Sequence, residues 1–196
     1  MRVALPTVAG VVLCAGSARA QAVPTPAPPP AARESLAYTP RAELPSGRQV
    51  VVVYVGMTGC GASRDPELRG AVRRMKPALA RQAAARGTAL SINGVALDWA
   101  PDSGVAYLRG LGAWDEMTVG NNWANLAAER HIWTAPGTPP AIPQVLVYER
   151  TVTAGERGLT FTGERRVARF AGVPEITAWV ARGAPLPGAP TPTRAP

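Results

Sequence analysis

The sequence predicts an α/β fold with a central mixed sheet and flanking helices, and three features carry that reading. Gln49–Val55 (QVVVVYV) is an unbroken, mostly β-branched run closed by Gly56, the pattern of a strand buried on both faces. Pro66–Arg86 sets Leu68, Val72, Met75, Leu79 and Ala83 at steps of three and four with arginines on the other side, the apolar stripe of an amphipathic helix. From Gln144 onward, short apolar segments around a Gly-containing turn lead into a closing helix.

The elements follow in order. Asp65 before Pro66 is a helix start signal and Gly87 a stop. Pro77 lies inside this helix and predicts either a kink or two abutting helices. Leu90–Trp99 reads as a second strand with a bulge or twist point at Gly94. A helix is expected from Asp102 to Leu111, with Val105, Leu108 and Leu111 on one face and Asp102 or Ser103 as its cap. Gly112–Gly120 reads as a loop or short strand. Asn121 or Asn122 then caps a helix carrying Trp123, Ala127 and Trp133. Gln144–Arg150, Leu159–Phe161 and Arg165–Phe170 read as an antiparallel meander with a turn at Ala154–Gly158. Pro174 opens a final helix in which Ile176, Trp179 and Val180 face the sheet and Gly183 ends it.

The ends read differently. Arg2, the apolar run Val3–Ala15 and Ala18-Arg19-Ala20 before Gln21 have the three parts of a secretory signal peptide, assigned to residues 1–20. The apolar run, about 13 residues, is short of the roughly 20 a membrane span needs, so no span is expected after cleavage. Residues 21–35 are a Pro-rich linker and 185–196 a Pro-rich tail, which leaves 36–184 as one folded domain. The expected location is periplasmic or secreted. The formal charge of +8 falls to +6 without Arg2 and Arg19. The remaining arginines are scattered, with none of the dense basic stripes of a nucleic-acid binder, so no nucleic-acid partner is expected.

Of the two cysteines, Cys14 and Cys60, the first lies in the signal, so Cys60 has no partner within the mature chain and a disulfide framework is excluded. An unpaired thiol in an oxidising compartment is buried, reactive, or paired with another molecule, a Cys60–Cys60 dimer included. At the start of a helix, as the strand-to-helix spacing suggests, unpaired N–H groups and the macrodipole favour an anionic sulfur. Gly59 and Gly61 remove side chains on both sides of it.

Cys60-Gly61-Ala62-Ser63 after the first buried strand, with Ile142-Pro143 opening a later one, resembles the thioredoxin-like superfamily over roughly Val50–Gly183. That resemblance implies a C-x-x-S site opposite a cis-proline. It departs from the dithiol enzymes at Ser63, which cannot attack sulfur. What it leaves is one-thiol chemistry: Cys60 forms a mixed disulfide with a protein or small-molecule thiol or disulfide, and an external thiol such as glutathione releases it. In that reading Ser63 hydrogen-bonds the thiolate, Pro143 shapes the groove, and Gly59, Gly61, Ile142, Trp114 and Trp123 contact substrate, with no resident cofactor. The other reading is a non-catalytic thioredoxin-like binding or scaffold module of the cell envelope, favoured by Ser63 and the missing second thiol.

Several side reactions are disfavoured. His131 is the only histidine, so a zinc site of the usual type is not expected, and His131 itself reads as structural. Asp98 reads either as a buried acid beneath the site or as a cap for the next loop.

Overall fold

The computed structural model describes residues 46–137, 139–155 and 158–187. The signal peptide and linker expected at residues 1–35 lie outside them, as does the tail beyond Pro187. Five strands form one mixed sheet: β1 (Gly47–Gly56), β2 (Ala89–Ala96), β3 (Glu116–Val119), β4 (Gln144–Gly155) and β5 (Gly158–Ala171), in the order β3-β2-β1-β4-β5. β1, β2 and β3 are parallel neighbours, while β4 runs antiparallel to β1, and β5 to β4.

The α/β class and mixed sheet are as expected, but the strand order is not the standard thioredoxin arrangement. The edge next to β2 is built by β3, the next strand in the chain, so that β1 lies between β2 and β4. Asp115 seats it there: its N–H donates to Ile92 O at 3.0 Å and its carboxylate accepts from Ile92 N–H at 2.6 Å.

Successive β1 side chains point to opposite faces, and each face buries its own core. Val50, Val52 and Tyr54 pack with Leu68, Val72, Met75 and Leu79 of α1 (Pro66–Ala85). Leu108 of α2 (Pro101–Arg109) and Ile176 and Trp179 of α4 (Gly172–Ala181) join the same cluster. Full burial of each Leu or Met in it contributes about 1.5–3 kcal/mol. On the other face, Val51, Val53, Val55 and Leu146 are covered, among the described residues, only by a short segment. It runs through a 3-10 turn (Asn122–Ala124), one α-helical turn, α3 (Leu126–Ala128), and π-helical turns over Glu129–Trp133. Among the described residues, three helices cover the first face and this segment covers the second.

Helix α1 is continuous through Pro77. Asp65 caps it, accepting from Glu67 and Leu68 N–H at 2.7 and 3.2 Å, and Gly87 ends it at φ +58°. Other expectations are corrected. Gly94 is not a bulge, since the β1–β2 register runs through it unbroken. A Cβ there would lie 2.9 Å from the Trp114 ring and 3.0 Å from Leu108, so glycine is required by close packing. Neither Asp102 nor Ser103 caps α2, which starts after Ala100 without a side-chain cap. Its buried face is Gly104, Tyr107 and Leu108. Asn125, not Asn121 or Asn122, caps α3, accepting from Ala127 N–H at 2.9 Å.

The meander is one long hairpin. β5 absorbs its irregularity in two register shifts against β4, with Gly163 at φ +64°, and stays in the ladder. At the C-terminal end the folded unit passes residue 184. Leu186 is buried in the α1–α4 core, its N–H donates to Gln82 Oε1 at 3.0 Å, and Arg86 donates to the carbonyls of Leu186 and Pro187.

Candidate functional site

Cys60 lies in the loop between β1 and α1, partly buried and without a disulfide. Its Sγ is 3.8 Å from the carbonyl oxygen of Ile142, a contact that spans the chain from the end of β1 to the start of β4. The Ile142–Pro143 bond is cis. Pro143 is buried, and its carbonyl accepts from Gly172 N–H at 2.8 Å. Gly59 and Gly61 are exposed, and a Cβ at Gly61 would meet nothing within 4 Å. Neither neighbour of the thiol carries a side chain, and Gly61 faces open space among the described residues, while Met57 lies beside Gly59.

Cys60 does not start a helix. A three-residue 3-10 turn, Ala62–Arg64, separates it from α1, and Asp65 satisfies the first N–H groups of that helix. The expected helix-terminus stabilisation of the sulfur is thus directed elsewhere. Ser63 also differs from expectation. Its side chain is fully buried, and Oγ accepts from Met57 N–H at 3.4 Å. No Ser63–Cys60 contact is among the hydrogen bonds of the described residues, so Ser63 braces the loop that carries the thiol.

Two further braces hold this loop. Thr58 donates its N–H to Asp98 Oδ1 at 3.2 Å, and its hydroxyl donates to the same oxygen. Asp98 is buried two residues past the end of β2, and its carbonyl accepts from Asn122 N–H. It is both the buried acid beneath the loop and an anchor for the next turn. The second brace is a tyrosine pair. Tyr107 Oη donates to the Ser63 carbonyl at 3.1 Å, so the 2.6 Å contact between the two phenols must be Tyr54 donating to Tyr107. Burial, followed by the neighbouring Tyr107, pushes the Tyr54 hydroxyl well above its usual range. Burial likewise raises Tyr107. Both stay protonated donors at neutral pH.

The two tryptophans expected to share a surface are on opposite faces. Trp114 packs against the α1–α2 core, stacked on Tyr54 with ring centroids 5.9 Å apart and with Lys76 Nζ 3.4 Å from its ring centre. It is partly buried, packed against that core over Gly94, on the opposite face of the sheet from Trp123. Trp123 belongs to the other face, with Met57 and Ile142 in the cluster around Val55 and Leu97, and its ring tilts against Trp133. Of the residues singled out in the sequence, the fold brings together Cys60, Gly59, Gly61, Ile142 and Pro143, keeps Trp123 on the Ile142 side, and separates Trp114.

Thr58, Tyr54 and Tyr107 were not singled out as site residues. The tyrosines sit inside apolar patterns that read as core, and only the fold shows that their hydroxyls converge on Ser63. Trp99, next to Asp98, is 74% exposed and was legible only as the end of a strand.

Among the described residues no three or more His, Cys, Asp or Glu side chains are grouped to hold a metal ion. No helix among them is long and apolar enough to cross a membrane. No family model, no curated protein and no solved structure matches the chain.

Proposed function

We propose that the domain is an exported, thioredoxin-like protein that carries out monothiol exchange through Cys60. The observation that carries this reading is the contact of Cys60 Sγ with the Ile142 carbonyl, 3.8 Å away, in a loop flanked by two exposed glycines. A thiol held against the backbone that precedes a strand can present a bound disulfide to that strand's start. An incoming segment would lie beside Ile142 and Pro143 and pair through main-chain groups.

The chemistry is one displacement and its reversal. Cys60 gives up its proton to solvent, and the thiolate attacks one sulfur of a disulfide. The Cys60–S–S–R bond forms as the R–S–S–R′ bond breaks, and R′S⁻ leaves and takes up a proton. An external thiol such as glutathione then attacks the mixed disulfide and regenerates the Cys60 thiol as its own disulfide with R forms. Ser63 holds the loop in place and takes no part in electron transfer.

Treating the Cys14→Ser chain with oxidised glutathione and reading its intact mass tests this. The expected result is one glutathione added at Cys60, removed by reduced glutathione and absent from the Cys60→Ser variant. An unmodified Cys60 under conditions that modify the urea-unfolded chain would leave the domain a non-catalytic binding or scaffold module.

A further inference from the structure

The second face of the sheet holds a cavity of about 250 Å³ on the side of β1 remote from Gly56. Its floor comes from the strands, with Val51 of β1, Asn93 of β2, Thr118 of β3 and Arg150 of β4. Its wall is the segment where the α3 turn widens into π-helical turns and brings Arg130 and His131 over the sheet. Such widened turns recur at functional sites. The mid-strand position of Val51, against Cys60 beyond the end of β1, separates this cavity from the thiol.

Its charges balance overall but are divided between two places. Arg130 Nη2 donates to both oxygens of Glu164 at 2.7 and 3.0 Å, and Arg150 Nη1 donates to Glu164 Oε2 at 3.2 Å. Arg150 Nε is taken by Gln49 Oε1 at 2.7 Å. Two guanidiniums, which do not deprotonate in proteins, thus share one carboxylate. Burial pushes Glu164 up, but the hydrogen bonds and charges of Arg130 and Arg150 outweigh it and hold the carboxyl below its usual range. The trio carries one net positive charge. The other acid of the lining, Glu116, offsets that charge from across the floor, where it accepts from the neutral Asn93 Nδ2 at 3.2 Å.

His131 completes the donor set. Its Nδ1 is 3.1 Å from Tyr148 Oη. Burial first, and then the Arg130 charge, push its pKa down to about 4, so the ring is neutral at pH 7. Arg166 lies beside Tyr148 and can only donate, which favours the phenol proton pointing to Nδ1. The ring N–H is then on Nε2, which has no hydrogen-bond partner among the described residues.

We propose that this cavity is a second binding site, for a small monocarboxylate whose oxygens are taken by Arg130, Arg150 and His131 Nε2–H. Guanidinium groups match carboxylates in geometry as well as charge, and the anion lies against the trio's one positive charge. At about 30 Å³ per water-sized volume the cavity admits a ligand up to roughly the size of an amino acid. The carboxylate belongs either to a simple acid or to an α-amino acid, whose ammonium would face Glu116.

The test is a heteronuclear NMR titration of the ¹⁵N-labelled full chain with sodium acetate and, separately, glycine, at constant ionic strength, with sodium chloride as control. Saturable shifts confined to Ala127–His131 and Tyr148–Arg150, absent with chloride, are expected. Arg130→Gln, whose side chain is largely exposed and whose loss leaves the fold intact, weakens binding about tenfold or more, the scale of one lost charge-assisted hydrogen bond. His131→Gln weakens it too, while Cys60→Ser binds as the parent does, so this site stands or falls apart from the thiol. Tighter glycine than acetate assigns an amino acid, and equal binding a simple carboxylate. Shifts that do not saturate, that chloride reproduces, or that survive Arg130→Gln unchanged overturn the proposal.

Discussion

Asp98 receives both hydrogen-bond donors of Thr58, the backbone N–H at 3.2 Å and the hydroxyl, although the two residues are forty positions apart. The end of β2 is thereby tied to the loop two residues before Cys60. Asp98 is buried, and its removal leaves the Thr58 N–H without its acceptor. Asp98→Ala is therefore expected to cost about 1–3 kcal/mol, measured by urea denaturation. It is also expected to alter the alkylation rate of Cys60 in the folded chain. Thr58→Val, which keeps the N–H bond, should cost less than Asp98→Ala.

The tyrosine pair predicts an asymmetry. Tyr107→Phe strands both the Tyr54 hydroxyl and the Ser63 carbonyl, whereas Tyr54→Phe leaves the Tyr107–Ser63 bond standing. Stranded buried polar groups cost about 1–3 kcal/mol each. The urea midpoint should fall further for Tyr107→Phe than for Tyr54→Phe, and equal losses would show that the donor order is not the one assigned.

Gly94→Ala places a methyl 2.9 Å from Trp114 and 3.0 Å from Leu108. Both neighbours are held in place, Leu108 by full burial and Trp114 through its Nε1–H donated to the Leu108 carbonyl at 2.8 Å. Overpacking of this kind costs about 1–3 kcal/mol. Thermal unfolding checks it, and Gly61→Ala, which faces open space, is the control and should be near neutral.

His131 sets a pH dependence. The native ring titrates at about 4 because burial, followed by the Arg130 charge, disfavours the imidazolium, against 6.5 for the unmodified group. Above pH 6.5 neither state binds the proton. As pH falls below it, the unfolded chain takes up the proton first, and native stability declines until about pH 4. The ceiling on that loss is roughly 3 kcal/mol. Glu164, whose native pKa is lowered, adds a loss of the same sign only at more acid pH. Urea midpoints measured between pH 7 and 5 should fall for the parent and stay flatter for His131→Gln.

How much of this the sequence carries depends on whether the deciding interaction is local. β1, α1 with its Asp65 cap and Gly87 stop, and the buried face of α4 follow from periodicity and capping within one segment. The adjacency of Cys60 and Ile142–Pro143 was legible through paired motifs. The meaning of Gly94 was not, because it depends on Trp114 crossing over it from a later loop. Nor was the π-helical widening at Glu129–Trp133, a shift of backbone ladder with no side-chain signature. The continuity of β5 was hidden for a related reason, since Gly163 reads as a turn residue yet stays in the sheet. Ser63 was misread because its hydroxyl was matched to the nearest sulfur, while the fold supplies a backbone N–H from Met57.

The central claim is that the fold makes Cys60 an exchange-competent thiol. The most direct measurement is the second-order rate of its reaction with a small chromogenic disulfide in the Cys14→Ser chain, compared between native buffer and denaturing urea, with Cys60→Ser as blank. The account predicts a folded rate about tenfold or more above the unfolded one, because loop, glycines and Ile142 carbonyl present the sulfur to an incoming disulfide. A folded rate equal to or below that of the unfolded chain would contradict it.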